Sequence, residues 1–217
     1  MSSIPVDHNA EIAAAAKSVL APVGCMRKGR SRTWLDDHGW WVAVVEFQPS
    51  AWAKGSYLNV GASYLWKPVI AQSSLSVDAV IGPRPWYDAM EGESFMPNAM
   101  ELASIARDSL TRLREHHRTI ALAAEWLQSE WIERSLWRNY HLGMALGLSG
   151  KVDSAQRHFR LAVDPSSGYE WVKALGRECE ACAELVEDRS AFKVAVLERI
   201  GAMRGALKLP PADLEEL

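Results

Sequence analysis

Cysteine is scarce in this chain: three in 217 residues, Cys25, Cys179 and Cys182. An odd and uneven set excludes a disulfide framework and points to a reducing compartment. Long apolar runs are also missing. The longest near the start, 12–23, is alanine-rich, is interrupted by Lys17 and Pro22, and is too short to span a bilayer. The opening Met-Ser-Ser-Ile-Pro-Val-Asp has neither the basic start nor the apolar core of a signal peptide. The expectation is a cytoplasmic protein with no membrane partner. No sign of charge dominates, since the net charge is only −3, so there is no global field to hold nucleic acid.

Catalytic signatures are absent as well. There is no Walker loop, no Gly-x-Gly-x-x-Gly, no Gly-x-Ser-x-Gly and no kinase-like set, and His116, His117, His141 and His158 form no i, i+4 ligand pair around a glutamate. Cys179-Glu180-Ala181-Cys182 has redox or zinc spacing, but it lies inside a helical pattern with only Cys25 left to join it, so packing is the better reading. Asp36, Asp37 and His38 are consecutive residues of a tight turn and point in different directions. No metal and no cofactor is expected.

What is present is a meander over 24–66 that holds five of the ten tryptophans. A basic lead-in (Arg27, Lys28, Arg30, Arg32) is followed by Asp36-Asp37-His38-Gly39, a cluster of turn formers ending in glycine. From Trp40 to Gln48 the pattern has period two. Trp41, Ala43, Val45 and Phe47 share one face, and Trp40, Val42, Val44, Glu46 and Gln48 share the other. After a loop with Trp52, the run 56–66 puts Leu58, Val60, Ala62, Tyr64 and Trp66 on one face and Tyr57, Asn59, Gly61 and Ser63 on the other. The apolar sets should meet a common core, so Glu46, Gln48, Tyr57 and Asn59 should come together on the opposite face, with Trp40, with Arg30 or Arg32, and near Trp52. These eight residues are the candidate binding site.

Ahead of the meander, Asp7 or Asn9 caps a helix whose Ile12, Ala16, Val19 and Leu20 face the sheet, and Pro22 and Gly24 end it. Alternation over 74–81 predicts a fourth strand, and 86–97 reads as a surface loop. From Asn98 the period is helical to the end, with Arg107, Arg114 and Arg118 forming a basic outer edge and a loose acidic tail closing the chain. The fold class is therefore α+β: an N-terminal helix on an antiparallel meander of three to four strands, then a bundle of antiparallel helices. The expected division is a sheet domain over 1–97 and a helical region over 98–217 packed against it, with one continuous domain as the alternative.

Two resemblances carry further expectations. The leading helix ending in glycine, the Arg27-Lys28-Gly29 segment, the turn, the strand ending in Phe47-Gln48, the tryptophan-bearing loop and Leu58-Asn59-Val60-Gly61 resemble the bacterial family called domain of unknown function 4304, over the first third to half of the chain. That resemblance implies a fold and a lineage and no activity. Gly143, Gly150, Ala155, Phe159 and Ala162 stand at the spacing of a tetratricopeptide unit, which implies one helical hairpin with small residues at its crossing. A solenoid needs about three units, and a second clear copy is not evident.

Three functions compete. A tryptophan-rich surface without a catalytic constellation favours a non-catalytic module that binds a protein or peptide. The alternatives are a hydrolase- or nuclease-like enzyme using Glu46 with Arg30, Arg32, Gln48 and Asn59 around it, and, weaker, a nucleic-acid binder using Arg27, Lys28, Arg30 and Arg32 with Trp40 or Trp52 stacking on bases. The sequence sets no oligomeric state.

Overall fold

The computed structural model describes residues 7–68, 75, 77–90, 93–129 and 135–214. Helix α1 (His8–Leu20) starts at Asp7, whose carboxylate accepts from the Asn9 and Ala10 amides, and Glu11 in its first turn suits the helix dipole. One turn of 3-10 helix and Gly24, at φ +93, end it. The strands are β1 (Met26–Arg27), β2 (Thr33–Asp37), β3 (Trp41–Pro49), β4 (Gly55–Tyr64), β5 (Ala79–Val80) and β6 (Trp86–Asp88). They form an antiparallel-paired sheet in the order β1-β2-β3-β4-β5, with β6 also on β4. Helices α2 (Met96–His116), α3 (Ile120–Ser129), α4 (Leu136–Leu148), α5 (Val152–Leu161), α6 (Glu170–Leu185) and α7 (Arg189–Leu207) follow. The protein is α+β.

Contacts divide the chain into two compact units: Met1–His38, Val42–Ser63 and Val80–Arg114 form one, and Gly39–Trp41, Tyr64–Ala79 and Glu115–Leu217 the other. In the first unit, Ala43, Val45, Phe47, Leu58, Val60 and Ala62 are buried together with Ile12, Ala15, Ala16 and Leu20 of α1 and Ala99, Leu102, Ala106 and Leu110 of α2. Both helices reach that face of the sheet. Arg32, beside Phe47, bonds Asn9 of α1, and Asp36, paired with Ala43, takes the Arg114 guanidinium of α2 at 2.8 Å.

The lead-in is itself a hairpin, since Met26 and Arg27 pair with Leu35 and Trp34 around a turn at 28–32. Asp36 and Asp37 lie in β2 rather than in the turn, and Asp36 bonds His38 and Arg114. Burial works against the Asp36 carboxylate, but those two partners outweigh it and hold its pKa below the usual value. Of the fourth strand expected over 74–81, Ala79 and Val80 are extended and residues 74 and 76 lie outside the described set. The surface loop expected over 86–97 contains β6 and the start of α2. Arg114, placed on a solvated basic edge by the sequence, instead reaches inward to Asp36 and to the Val23 carbonyl.

In the second unit, Gly143 on α4 faces Phe159 on α5, and a Cβ there would stand 2.7 Å from the Phe159 ring. This is the crossing of the α4–α5 hairpin, and α6 and α7 make a second hairpin. Gly147 makes room in the same way for Phe192 of α7. Gly143→Ala should cost about 1 to 3 kcal/mol in urea denaturation, because a methyl has to displace a packed ring; a loss within about 0.3 kcal/mol would show that the helices separate freely. The tail is not loose as far as 214: the buried Arg204 guanidinium donates to the Gly39 carbonyl at 2.7 Å and to the Pro210 carbonyl, and residues 212–214 lie against Gly39. No helix among the described residues is long and apolar enough to cross a membrane.

Candidate functional site

The polar sheet face is built by register. β6 runs antiparallel to β4 with Gly55 opposite Asp88, Ser56 opposite Tyr87 and Tyr57 opposite Trp86, and the Leu58 amide donates to the Pro85 carbonyl at 3.1 Å. Extending that register one step sets Arg84 beside Asn59. Pro85 helps by biasing Arg84 to an extended backbone.

Side chains two apart share a face, so Arg84 and Trp86 join Tyr57 and Asn59 of β4 and Glu46 and Gln48 of β3. The Asn59 amide nitrogen donates to Glu46 Oε2 at 3.1 Å and to Gln48 Oε1 at 2.9 Å. Arg84 donates from Nε to Asn59 Oδ1 at 2.7 Å and from Nη2 to Gln48 Oε1 at 2.6 Å, and its guanidinium carbon lies 4.3 Å from the Tyr57 ring centroid. Trp86 packs on Tyr57 with ring centroids 4.4 Å apart. Gly55 has no side chain where Trp86 lies, and a Cβ there would come within 2.6 Å of the indole.

Glu46, Gln48, Tyr57 and Asn59 are therefore together, as the alternation requires. Trp52 is 97% exposed in the connection between β3 and β4, at the end of the sheet where Gln48 lies. Arg32 is not with them. Thr33 pairs with Glu46, so Arg32 falls one position off and points to the opposite face, where it bonds Asn9 and Ser56 Oγ. Arg30 sits exposed in the turn at 28–32, and its side chain makes no hydrogen bond or ion pair among the described residues. Trp40 belongs to the connection before β3 and to the second unit, where its ring lies parallel to Trp66 at 5.1 Å and to Tyr64 at 6.1 Å. The guanidinium expected from Arg30 or Arg32 comes from Arg84. Its signal was legible, because Arg84, Trp86 and Asp88 alternate, but Gly82-Pro83 and Pro85 read as a stop.

A second constellation, in the second unit, had no local signal. Lys67 Nζ is 2.8 Å from Asp78 Oδ2, and their side chains are 4% and 8% exposed. Asp78 also accepts the Tyr64 amide at 2.9 Å. His141 is 1% exposed and stands 4.0 Å from Asp78 through Nε2, while its Nδ1 accepts from the Trp66 indole N–H at 3.1 Å, which places the imidazole proton on Nε2. The Tyr64 hydroxyl meets His117 at 2.9 Å, and Tyr140 donates to the Trp66 carbonyl. This burial leaves the charged groups no open face toward a substrate, so the assembly holds structure.

Burial drives His141 down to about 4, with Asp78 opposing and Lys67 adding to the shift. A neutral buried histidine stabilises the fold fully above its unfolded pKa of about 6.5, and that contribution is lost as pH falls from there toward 4. In urea melts at several pH values, stability should therefore fall across this window, and it should fall less in His141→Gln. Equal slopes in parent and variant would show that His141 is not held neutral.

The cysteines are inert: all three are free and buried, and burial pushes each thiol up to about 12. No family model, no curated protein and no solved structure matches the chain.

Proposed function

We propose that the chain is a non-catalytic protein- or peptide-interaction module that binds through the polar sheet face. The observation that carries this reading is the state of Arg84. Two neutral amide oxygens and an aromatic ring orient its guanidinium, and no carboxylate pairs with it among the described residues. Of its five N–H donors, two are used within the protein. An oriented guanidinium over Tyr57, with Trp86 packed on that ring and an exposed Trp52 in the connection between β3 and β4, is the composition of a recognition surface. The hydrolase or nuclease alternative has less support, because Glu46 is bonded to Asn59 and the network contains no serine, cysteine or histidine to work with it. Buried free thiols fit a reducing, cytoplasmic setting, and the lineage is taken as that of the bacterial family the first half resembles.

Selection from a displayed random peptide library tests the reading. The parent should enrich peptides that Arg84→Ala does not, while Arg84→Ala keeps stability within about 0.5 kcal/mol, since the side chain is exposed. A parent that enriches nothing beyond the Arg84→Ala control overturns it.

A further inference from the structure

The same sheet end carries more positive charge than Arg84 alone. The Lys28 amide donates to the Thr33 carbonyl and the Phe47 amide to the Arg32 carbonyl, so the turn at 28–32 sits beside the last residues of β3, at the end where Gln48 and Asn59 hold Arg84. Lys28 and Arg30 are exposed, and neither side chain has a hydrogen bond or an ion pair among the described residues. Arg27 is spent on the turn itself, donating to the Ser31 and Arg30 carbonyls. Two cationic points thus flank the face, Arg84 at one side and the Lys28/Arg30 turn at the other, with Glu46 between them.

Resting on the interaction-module reading, we infer that the partner is an acidic peptide segment lying across the strands, with one carboxylate on the open edge of Arg84, a second near Lys28 and Arg30, and no acidic residue in between. The spacing follows from the sheet. Lys28 continues β1 opposite Thr33, so it lies four strand intervals from β6, about 19 Å at about 4.8 Å each; the end residues of an extended pentapeptide stand about 13 Å apart at about 3.3 Å per residue, and the acidic and basic side chains reach across the remainder.

The Arg84 edge not used by Asn59 and Gln48 offers paired N–H groups that suit a carboxylate bidentately. Glu46 repels a carboxylate placed over the middle of the face and, through Asn59, leaves the centre for neutral side chains. Tyr57 and Trp86 give the Arg84 end of the face an apolar floor. A phosphate backbone, with a negative charge at every unit, would set charge against Glu46, so a spaced pair of carboxylates is the better match.

Fluorescence polarisation with a labelled peptide Glu-Ser-Thr-Gly-Glu, its double-glutamine analogue and an all-glutamate pentamer tests the inference. The first should bind, the glutamine analogue should bind at least about tenfold more weakly, and the pentamer should also lose affinity to Glu46. Arg84→Ala should weaken binding about tenfold and Lys28→Gln with Arg30→Gln about threefold, with unchanged circular dichroism, and rising salt should weaken the parent most. Equal binding of the glutamine analogue overturns the inference, and so does tighter binding of decathymidylate that depends on the same residues. In the library selection, enriched peptides that lack acidic residues yet need Arg84 would remove this inference and leave the interaction module standing, whereas no enrichment removes both.

Discussion

Replacing Lys67 with methionine should lower stability by about 3 to 5 kcal/mol, the loss typical of breaking a buried ion pair from one side. The physical reason lies in what is left behind. Asp78 stays at 8% side-chain exposure, keeps the Tyr64 amide as donor and loses the ammonium 2.8 Å away. The intact pair itself need not be strongly stabilising, because desolvating two charges costs nearly what their attraction returns. It follows that Asp78→Asn added to Lys67→Met should recover part of the loss, and a double-mutant cycle in urea should give a coupling of about 1 to 3 kcal/mol. Independent, additive losses, or a single-variant loss below about 1 kcal/mol, would mean that water reaches the pair.

Phe47→Ala should cost about 3 to 5 kcal/mol, the range for removing a fully buried phenylalanine. Phe47 is near the end of β3, on the face that Ala43 and Val45 share, and is completely buried. The neighbouring positions Glu46 and Gln48 are only partly buried. Glu46→Ala should therefore change stability far less than Phe47→Ala in chemical denaturation, and comparable losses at both positions would contradict the assigned faces.

These two experiments probe features of different legibility. The faces of β3 and β4 were readable from their polar ends, where Glu46, Phe47 and Gln48 on one strand and Tyr57, Leu58, Asn59 and Val60 on the other alternate between part-buried and buried, whereas Trp41 to Val45 are buried on both faces. The Asp7 cap and the Gly24 stop were readable from local chemistry, and Gly143 with Phe159 from motif spacing.

Arg32 was not readable to the level of a face. Its side is decided by where the turn at 28–32 sets Thr33, and a shift of one residue reverses every side chain. Trp40 continues the alternation of β3 on paper, yet the chain is still turning at Gly39, φ +81, and the strand begins one residue later. Arg84 was hidden by its flanking prolines, which stop a central strand but are tolerated at an edge, where β6 lies. Lys67, Asp78 and His141 are far apart in the chain and carry no spacing signal. Their meeting depends on tertiary packing alone.

The proposed interaction module requires a peptide to dock on the sheet face around Arg84. The most direct measurement is a nuclear magnetic resonance titration of the labelled full chain with the best peptide from the library selection. Shift changes should concentrate at Gln48, Trp52, Tyr57, Asn59, Arg84 and Trp86, and should vanish in Arg84→Ala. Changes that leave those residues untouched and gather instead on α4 and α5 around Gly143 and Phe159 would contradict it.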